Sequence, residues 1–590
     1  MVINRRLSTM SRKNLFNRVG GLRPRRNRFD LSYRKNFTCD MGELIPVMCD
    51  ECVPGDTWRI ANETVVRMQP LAAPIMHEIN VTTHYFFVPY RILWDRWTEF
   101  ISETQVKGAP IPAIPRFNPG SPVEVQMFTL WDYFGLPISE ASAVPSTGDM
   151  VMTPIDMPWR AYNKVYDEYY RDQDLETSWW ENSANQTNNR VLRRAWTKDY
   201  FTASRPFRQK GIAPALPVNV AVQIAAQSGQ ITNRLFSTSD ISLGDNGAIP
   251  LLSYINETPS GGAGQFRIRR AYPAGFGQYN VSSIQTPVNL SSTMTNTPTS
   301  VTSDSLFGVD VGDVARGVAP RLQANATATT FNVSDLRVAV QRQKWLERNA
   351  RGGSQRHTEF LRSHFGVSPS DQRLQRPEYI GGTRMPLLIN EVLQTSESSQ
   401  SPQGNMSGHG LSADGQYAGT YHVQEFGIII GLLSIMPKPG YQDGINRQWL
   451  RYLSSDFYFP EYAHLSEQGI YRAEIYSNFT RGQGAIHDDR AVFGYTGQYD
   501  EMRVKHDMVC AEMRALQTTA GTLNPFLSYW NLMRKFEVAP NLNKTFIECN
   551  PDKRIYLVQN VKGCIVNVYN DLKVARPLPL IAEPGLVDHF

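Results

Sequence analysis

Three cysteines near the N-terminus have the spacing that comes closest to a metal site in this sequence. Cys49 and Cys52 form a C-x-x-C pair, and Cys39 lies ten residues before the first of them. A structural zinc site needs four ligands and usually contains a second close pair, whereas the other three cysteines are far apart. We therefore expect free thiols that pack as small hydrophobic side chains, and neither a metal nor a cofactor.

Histidines lie near carboxylates at two further places. His357 and His364 are seven residues apart and could share a helical face with Glu359, and His487 directly precedes two aspartates. Such groups arise easily by chance in a chain of 590 residues. A histidine is more often exposed or hydrogen bonded within the protein than it is a metal ligand. Both groups are weak candidates for chemistry.

Common catalytic signatures are absent from the sequence. It contains no Gly-Lys dipeptide, which excludes a Walker A loop, and neither a GxGxxG nor a GxSxG motif. A pair of carboxylates for glycoside hydrolysis stays possible, because the distance between two acids cannot be seen in a sequence. We expect no enzyme.

Basic residues are concentrated at the N-terminus. Residues 1–36 contain eleven Lys or Arg and one acid, a charge of +10, so the remainder of the chain carries −5 of the net +5. A tail of this sign attracts nucleic acid by counterion release. We expect Arg23, Arg25, Arg26 and Arg28 to contact nucleic acid; a solvated tail is the alternative.

Aromatic and basic residues also alternate between Tyr200 and Arg208. Phosphate contacts by Arg205 and Arg208, with base stacking on the rings, are one interpretation. The other is a loop that packs its rings and exposes its arginines.

The composition predicts a folded globular protein. Apolar residues make up 41% of the chain and aromatic residues 11%, enough for several domains or one large one. Six cysteines are too few for a disulfide framework, and no apolar stretch follows the basic N-terminus as in a secretion signal. The longest nearly apolar run, 426–436, is well short of the roughly 20 residues that span a bilayer.

Alternating and continuous apolar patterns predict strands at 79–88 and 423–436, both buried between layers. The segments 555–558 and 564–569 flank Lys562-Gly563 and predict a hairpin. A helix is predicted at 335–349, with Ser334 as its N-cap. Long connections rich in proline and polar residues separate the strands, which indicates a β scaffold that carries large loop insertions.

Two segments stand out in composition. Residues 217–332 are rich in Ser, Thr, Gly, Asn and Gln, and nine of the thirteen residues of 291–303 are Ser or Thr, which disfavours a helix. The segment 352–382 is rich in polar, basic and turn-forming residues and has a glycine pair at each end. We predict a helical turn and a long contact loop there, with positive φ at the glycines.

Three sequence blocks resemble the major capsid protein of the gokushoviruses, small single-stranded DNA phages of the Microviridae. They are FDLSYRKNFTCDMGELIPVMCDECVPGDTW at 29–58, the segment 352–382, and DFYFPEYAHLSEQ at 456–468; the ending RPLPLIAEPGLVDHF is also similar. His357 departs from the tyrosine that the family pattern leads us to expect. The resemblance covers most of the chain outside residues 217–332.

The resemblance implies a mainly β fold, an eight-stranded antiparallel jelly roll of the viral capsid type with long loop insertions and a few short helices. It also implies a small icosahedral T=1 shell around a single-stranded DNA genome, assembled in the host bacterial cytoplasm. The expected organisation is a basic arm at 1–36, a body at 37–216 and 333–575, an insertion at 217–332 that forms threefold surface protrusions, and an extended arm at 576–590.

The implied partners are other copies of the chain, the genome, a small basic DNA-packaging protein, an internal scaffolding protein, a minor pilot protein and a host surface receptor. A gene for 590 residues alone carries roughly 1,770 phosphates, and sixty copies at +5 neutralise about 300 of them. The charge count therefore predicts further cations, from the packaging protein, polyamines or metal ions, and we expect the four arginines of the arm to contact the genome or the packaging protein. The alternative function is a β-rich phage attachment protein that binds or hydrolyses glycans.

Overall fold

The computed structural model divides the chain into two compact units, residues 1–213 with 343–590, and residues 214–342. No helix among the described residues is long and apolar enough to cross a membrane. The described residues are 25–103, 111–116, 126–138, 154–178, 190–214, 221–225, 251–257, 265–271, 323–327, 333–352, 356–393, 406–463, 467–478, 488–515 and 527–581.

Strands dominate the described part of the chain, and helices are short with one exception. The strands are β1 Asn27–Asp30, β2 Tyr33–Cys39, β3 Ile45–Cys52, β4 Thr57–Met68, β5 Ile79–Pro89, β6 Ala221–Ala225, β7 Leu251–Glu257, β8 Gln265–Ala271, β9 Gln323–Thr327, β10 Glu378–Pro386, β11 Ile389–Leu393, β12 Met406–His422, β13 Gly427–Pro437, β14 Gly440–Tyr441, β15 Gln468–Tyr471, β16 Val492–Thr496, β17 Asp507–Met508 and β18 Cys564–Arg576. The α-helices are α1 Tyr90–Leu93, α2 Trp97–Ser102, α3 Leu130–Phe134, α4 Met157–Val165, α5 Val333–Arg351, α6 His357–Phe365, α7 Arg472–Ile475 and α8 Lys544–Ile547.

Two antiparallel sheets form the body of the first unit. One has the order β1-β18-β4-β12-β11, with β2 also paired to β18, so that β1 and β2 follow each other along the same edge. The other has the order β10-β5-β13-β3. The core contains buried side chains from both sheets, such as Val66 and Val568 of the first with Val81 and Leu433 of the second. The body is therefore an antiparallel two-sheet sandwich.

Strand burial follows from position in the sandwich. In β4, residues alternate between buried and more exposed, as expected for a strand with one face on the core. Every residue of β13 is buried. Ile429 packs between the two sheets, whereas Ile430 packs in a second cluster with Met157 and Tyr162 of α4. This confirms the prediction of a strand buried on both faces, and β5 likewise confirms the strand predicted at 79–88.

The hairpin predicted at 555–569 is wrong. Residues Lys553–Ile555 form a turn of 3₁₀ helix, and β18 pairs with β4 on one side and with β1 and β2 on the other. The chain bends at Val561 and Gly563, but the hydrogen-bond partners of β18 lie some five hundred residues earlier in the chain. Long pairings of this kind override a local preference because they also bury one face of the strand.

The second unit contains two strand pairs in its described part, β6 with β9 and β7 with β8, both antiparallel. Most of the segment 217–332 lies outside the described residues, and so do its predicted loops and protrusion. Helix α5 confirms the helix predicted at 335–349, but it begins at Val333. Ser334 is therefore inside the first turn and is not the N-cap.

Candidate interaction surfaces

The segment 352–382 is more regular than its sequence indicates. Helix α6 occupies His357–Phe365 and ends at Gly366, whose φ is +70°. After a loop, β10 begins at Glu378 and pairs with β5. Gly381 and Gly382 lie inside this strand and are not among the described glycines with positive φ, so that expectation is wrong.

Close packing explains the glycine at position 381. A Cβ atom there would lie 2.1 Å from the carbonyl oxygen of Ala418 in β12. Strand β10 belongs to one sheet and β12 to the other. Gly381 therefore lets the two sheets approach at this edge of the sandwich.

A polar cleft of about 720 Å³ lies beside this segment. One wall consists of residues 168, 171 and 173–178, which follow α4, and the other contains Arg356, His357, Thr358, Leu374 and Arg376. A cleft of this size is in the range of ligand pockets, which are, however, mostly apolar. Its charged lining suits a polar partner.

Arginines of the cleft make hydrogen bonds within the chain. Arg376 donates from Nε to Asp371 at 2.7 Å and from Nη1 to the Thr358 hydroxyl at 3.0 Å. Its guanidinium lies 5.3 Å from the ring centroid of Tyr169, which donates its hydroxyl hydrogen to the carbonyl oxygen of Pro377 at 2.6 Å. Arg356 donates to two backbone carbonyl oxygens, each at 3.0 Å. These bonds fix the segment 356–378 against residues 167–171, which follow α4.

The candidate histidines occupy different environments. His357 lines the cleft, whereas His364 hydrogen bonds to the Asn349 side chain at 2.5 Å and packs against Trp345 and Phe360. His487 lies outside the described residues. Among the residues that the structure describes, no group of three His, Cys, Asp or Glu could hold a metal ion.

The cysteines are free thiols. Cys39, Cys52, Cys549 and Cys564 are buried in hydrophobic clusters of the body, as the sequence predicts for small hydrophobic side chains. Burial raises the pKa of the Cys49 thiol to about 12. The C-x-x-C pair is therefore part of strand β3 and its packing, and its thiols are poor nucleophiles at neutral pH.

The basic N-terminal arm is partly built into the sheet. Arg25 and Arg26 are exposed just before β1, and Arg28 is exposed within it, opposite Ala575 of β18. Lys35, in β2, is different: it donates to the carbonyl oxygens of Pro46 and Tyr133, and burial lowers the pKa of its ammonium to about 8. Arg23 lies outside the described residues. The contact with nucleic acid stays a prediction for the four arginines.

The segment 200–208 packs its first two rings. Tyr200 and Phe201 are buried in the core, and the Tyr200 hydroxyl donates to Glu474 at 2.9 Å. Arg205 forms an ion pair with Glu467, a fully buried carboxylate that also pairs with Arg351. Arg208 is exposed. The two rings cannot stack on bases, so the predicted DNA contact rests on Arg205, Arg208 and the half-buried Phe207.

An exposed aromatic surface was missed by the sequence interpretation. We call residues 449–462 the aromatic segment. It contains Trp449, Tyr452, Phe457, Tyr458, Phe459 and Tyr462, each at least 39% exposed. The density of rings was visible in the sequence, but rings usually signal a core, and the segment has neither a helical nor a strand period.

Comparison with known proteins finds matches that cover nearly the whole chain. The model of the phage capsid protein (F protein) family matches residues 18–586. The capsid protein VP1 of Chlamydia phage 1 is 33% identical over 625 aligned residues, which cover 97% of this chain and 98% of that protein. The corresponding VP1 proteins of Bdellovibrio phage phiMH2K and Spiroplasma virus 4 are 29% and 27% identical and match at least 95% of both chains. Together with the antiparallel sandwich, this match places the chain in the capsid protein (F protein) family of phages.

Proposed function

We propose that the protein is the structural subunit of a small icosahedral T=1 shell that encloses a single-stranded DNA genome. The observation that carries the proposal is a family match along 18–586, which includes the body and the insertion. The sandwich supports it, because jelly rolls with long loops are common in capsids, and we propose that eight of its strands form such a jelly roll. Shell formation by symmetric self-association needs no catalytic group.

We assign the insertion 217–332 to the outer surface, where it forms the protrusions that contact a host receptor. Its Ser/Thr-rich composition supports this role, since hydroxyl and amide side chains suit a solvated binding surface. The exposed Arg25, Arg26 and Arg28, with Arg23 and the rest of the arm, face inward towards the genome or a small basic packaging protein.

The proposed site of action is the virion, and assembly takes place in the host bacterial cytoplasm. We expect a scaffolding protein to guide assembly and a minor pilot protein to join the particle. Their binding surfaces on this chain stay unassigned.

Negative-stain electron microscopy tests the proposal. The chain is expressed in bacterial cytosol, first alone and then with the other structural genes of its phage. Small spherical particles with short protrusions are expected in at least the second case. A monomer or small oligomer under both conditions would contradict the proposal, and a screen for glycan hydrolysis would then test the attachment-protein alternative.

A further inference from the structure

The aromatic segment exposes an unusually large apolar surface. Its six aromatic rings and Leu453 are between 39% and 72% exposed. With 150–250 Å² per aromatic side chain, the exposed area of these seven side chains sums to roughly 800 Å², which is comparable to one partner's share of a standard protein interface.

This surface is held in a fixed conformation although its rings face solvent. The Asp456 carboxylate accepts hydrogen bonds from the backbone N–H groups of Tyr452 and Leu453, both at 2.9 Å. Tyr499 donates its hydroxyl hydrogen to the carbonyl oxygen of Phe457 at 3.1 Å, and its ring lies 5.2 Å from that of Tyr458. A segment ordered in advance loses less conformational entropy when a partner binds.

Two ion pairs hold the aromatic segment against the rest of the first unit. Arg447 pairs with the buried Glu474 at 2.8 Å, and Arg451 pairs with Glu501 at 3.3 Å while its guanidinium lies 5.6 Å from the Phe457 ring. Both arginines are mostly buried. Their charges are therefore used within the chain.

The charge of the segment favours a protein partner over DNA. Residues 449–462 contain one arginine and two acids, Asp456 and Glu461, a net charge of −1. Surfaces that stack single-stranded bases also need a positive groove for the phosphates. Among the described residues, the one exposed arginine that lies over a ring of the segment, Arg490 at 6.0 Å from the Tyr452 centroid, does not make a positive groove. An apolar surface with few charges instead resembles the core of a protein interface, where aromatic residues are enriched.

We propose that the aromatic segment is a contact surface between two copies of this chain in the shell. The inference rests on the proposed function, because a shell supplies a second copy at every such surface. The area matches what one copy contributes to a stable interface, and the most exposed side chains, Trp449, Tyr452 and Leu453, are its anchors.

Photocrosslinking tests the contact directly. Tyr452 is replaced by benzoylphenylalanine, a photoreactive residue of similar shape, in particles assembled from a mixture of ¹⁵N-labelled and unlabelled chains. We expect crosslinked peptides that join a labelled to an unlabelled chain. Crosslinks only within one chain, or to DNA, would overturn the inference while particles still formed; failure of the wild-type chain to form particles would overturn the proposed function, and the inference with it.

A pair of double variants gives an independent measure. Trp449→Ser with Leu453→Ser should lower the particle yield at least about tenfold, because large apolar anchors carry most of the free energy of an interface. Val538→Ser with Leu557→Ser is the matched control, since these side chains are 72% and 64% exposed and lie outside the segment. The thermal unfolding midpoint of the unassembled chain should change in neither. An unchanged yield in the first variant, or an equal loss in the control, would refute the contact.

Discussion

The environment of a single residue in the body can change its pKa strongly, and His84 is an example. His84 lies in β5, its Nδ1 is 2.8 Å from the Tyr170 hydroxyl, and its ring stacks on that of Tyr170. Burial, with a smaller effect of Arg194, lowers the pKa of His84 to about 4. The imidazole is therefore neutral in the folded protein throughout the physiological range.

We expect His84 to make the protein sensitive to acid. Above pH 6.5 the imidazole is neutral in both the folded and the unfolded state. Between pH 6.5 and 4 only the unfolded chain binds the proton, so the free energy of unfolding decreases as the pH is lowered, and the loss is complete below about pH 4. The full effect is about 3 kcal/mol. Urea unfolding of the unassembled chain at pH 7, 5.5 and 4 measures it. His84→Gln should show a smaller decrease than the wild-type protein, and equal decreases would disprove the assignment.

The close approach at Gly381 predicts a large effect of a single methyl group. Gly381→Ala places a Cβ atom against the backbone of Ala418, which cannot move away without opening the sandwich. We expect a loss of about 2–3 kcal/mol in unfolding free energy. Gly415→Ala is the control, because its nearest neighbour is the exposed Glu63 side chain at 3.1 Å. Similar losses in chemical denaturation of both variants would argue against a tight contact at Gly381.

At the scale of the elements, side chains hold the ends and edges of the two sheets. Gln416 of β12 accepts from the backbone N–H of Arg384 at 3.1 Å and donates to its carbonyl oxygen at 3.0 Å. Its amide thus takes the place of a neighbouring strand along part of the outer edge of β10. Such cover limits unwanted pairing with other chains.

The ion pair between Asp56 and Arg576 connects the start of β4 to the end of β18. Arg576 donates to the fully buried Asp56 from Nε at 3.0 Å and from Nη2 at 2.7 Å. Asp56→Asn leaves the guanidinium without its countercharge, and we expect a loss of about 3 kcal/mol. Glu78→Gln is the control, because its pair with Arg384 is exposed and should change stability by less than about 1 kcal/mol. Equal unfolding midpoints for the two variants would contradict the expected difference.

Local patterns predicted some elements, and long-range contacts decided the others. Strand β5 and the buried strand β13 could be predicted because their apolar pattern lies within a single stretch of sequence. The pairing of β18 with β4 could not be predicted, because the residues of β18 do not indicate which distant strand it pairs with. The aromatic segment was missed for a related reason: exposure depends on which surfaces the fold leaves uncovered, and this is not a property of fourteen residues alone.

At the scale of the whole molecule, charge is divided between a basic arm, residues 1–36 with +10, and the remainder of the chain with −5. Replacing Arg23, Arg25, Arg26 and Arg28 by Ser removes four of the eleven cations of residues 1–36. We expect purified particles to contain less DNA, because fewer phosphates are neutralised by the shell. The ratio of absorbance at 260 and 280 nm measures this. Equal DNA content in variant and wild-type particles would exclude the arm as a genome contact.

The antiparallel pairing of β6 with β9 has a consequence for what this chain can carry. Ala225 pairs with Gln323, so the polypeptide leaves and returns at neighbouring strand positions, about 5 Å apart. Doubling the length of the intervening polypeptide adds only about 0.6 kcal/mol of closure entropy. A foreign domain whose own termini lie close together could therefore be inserted between Ala225 and Gln323 at little cost in closure entropy.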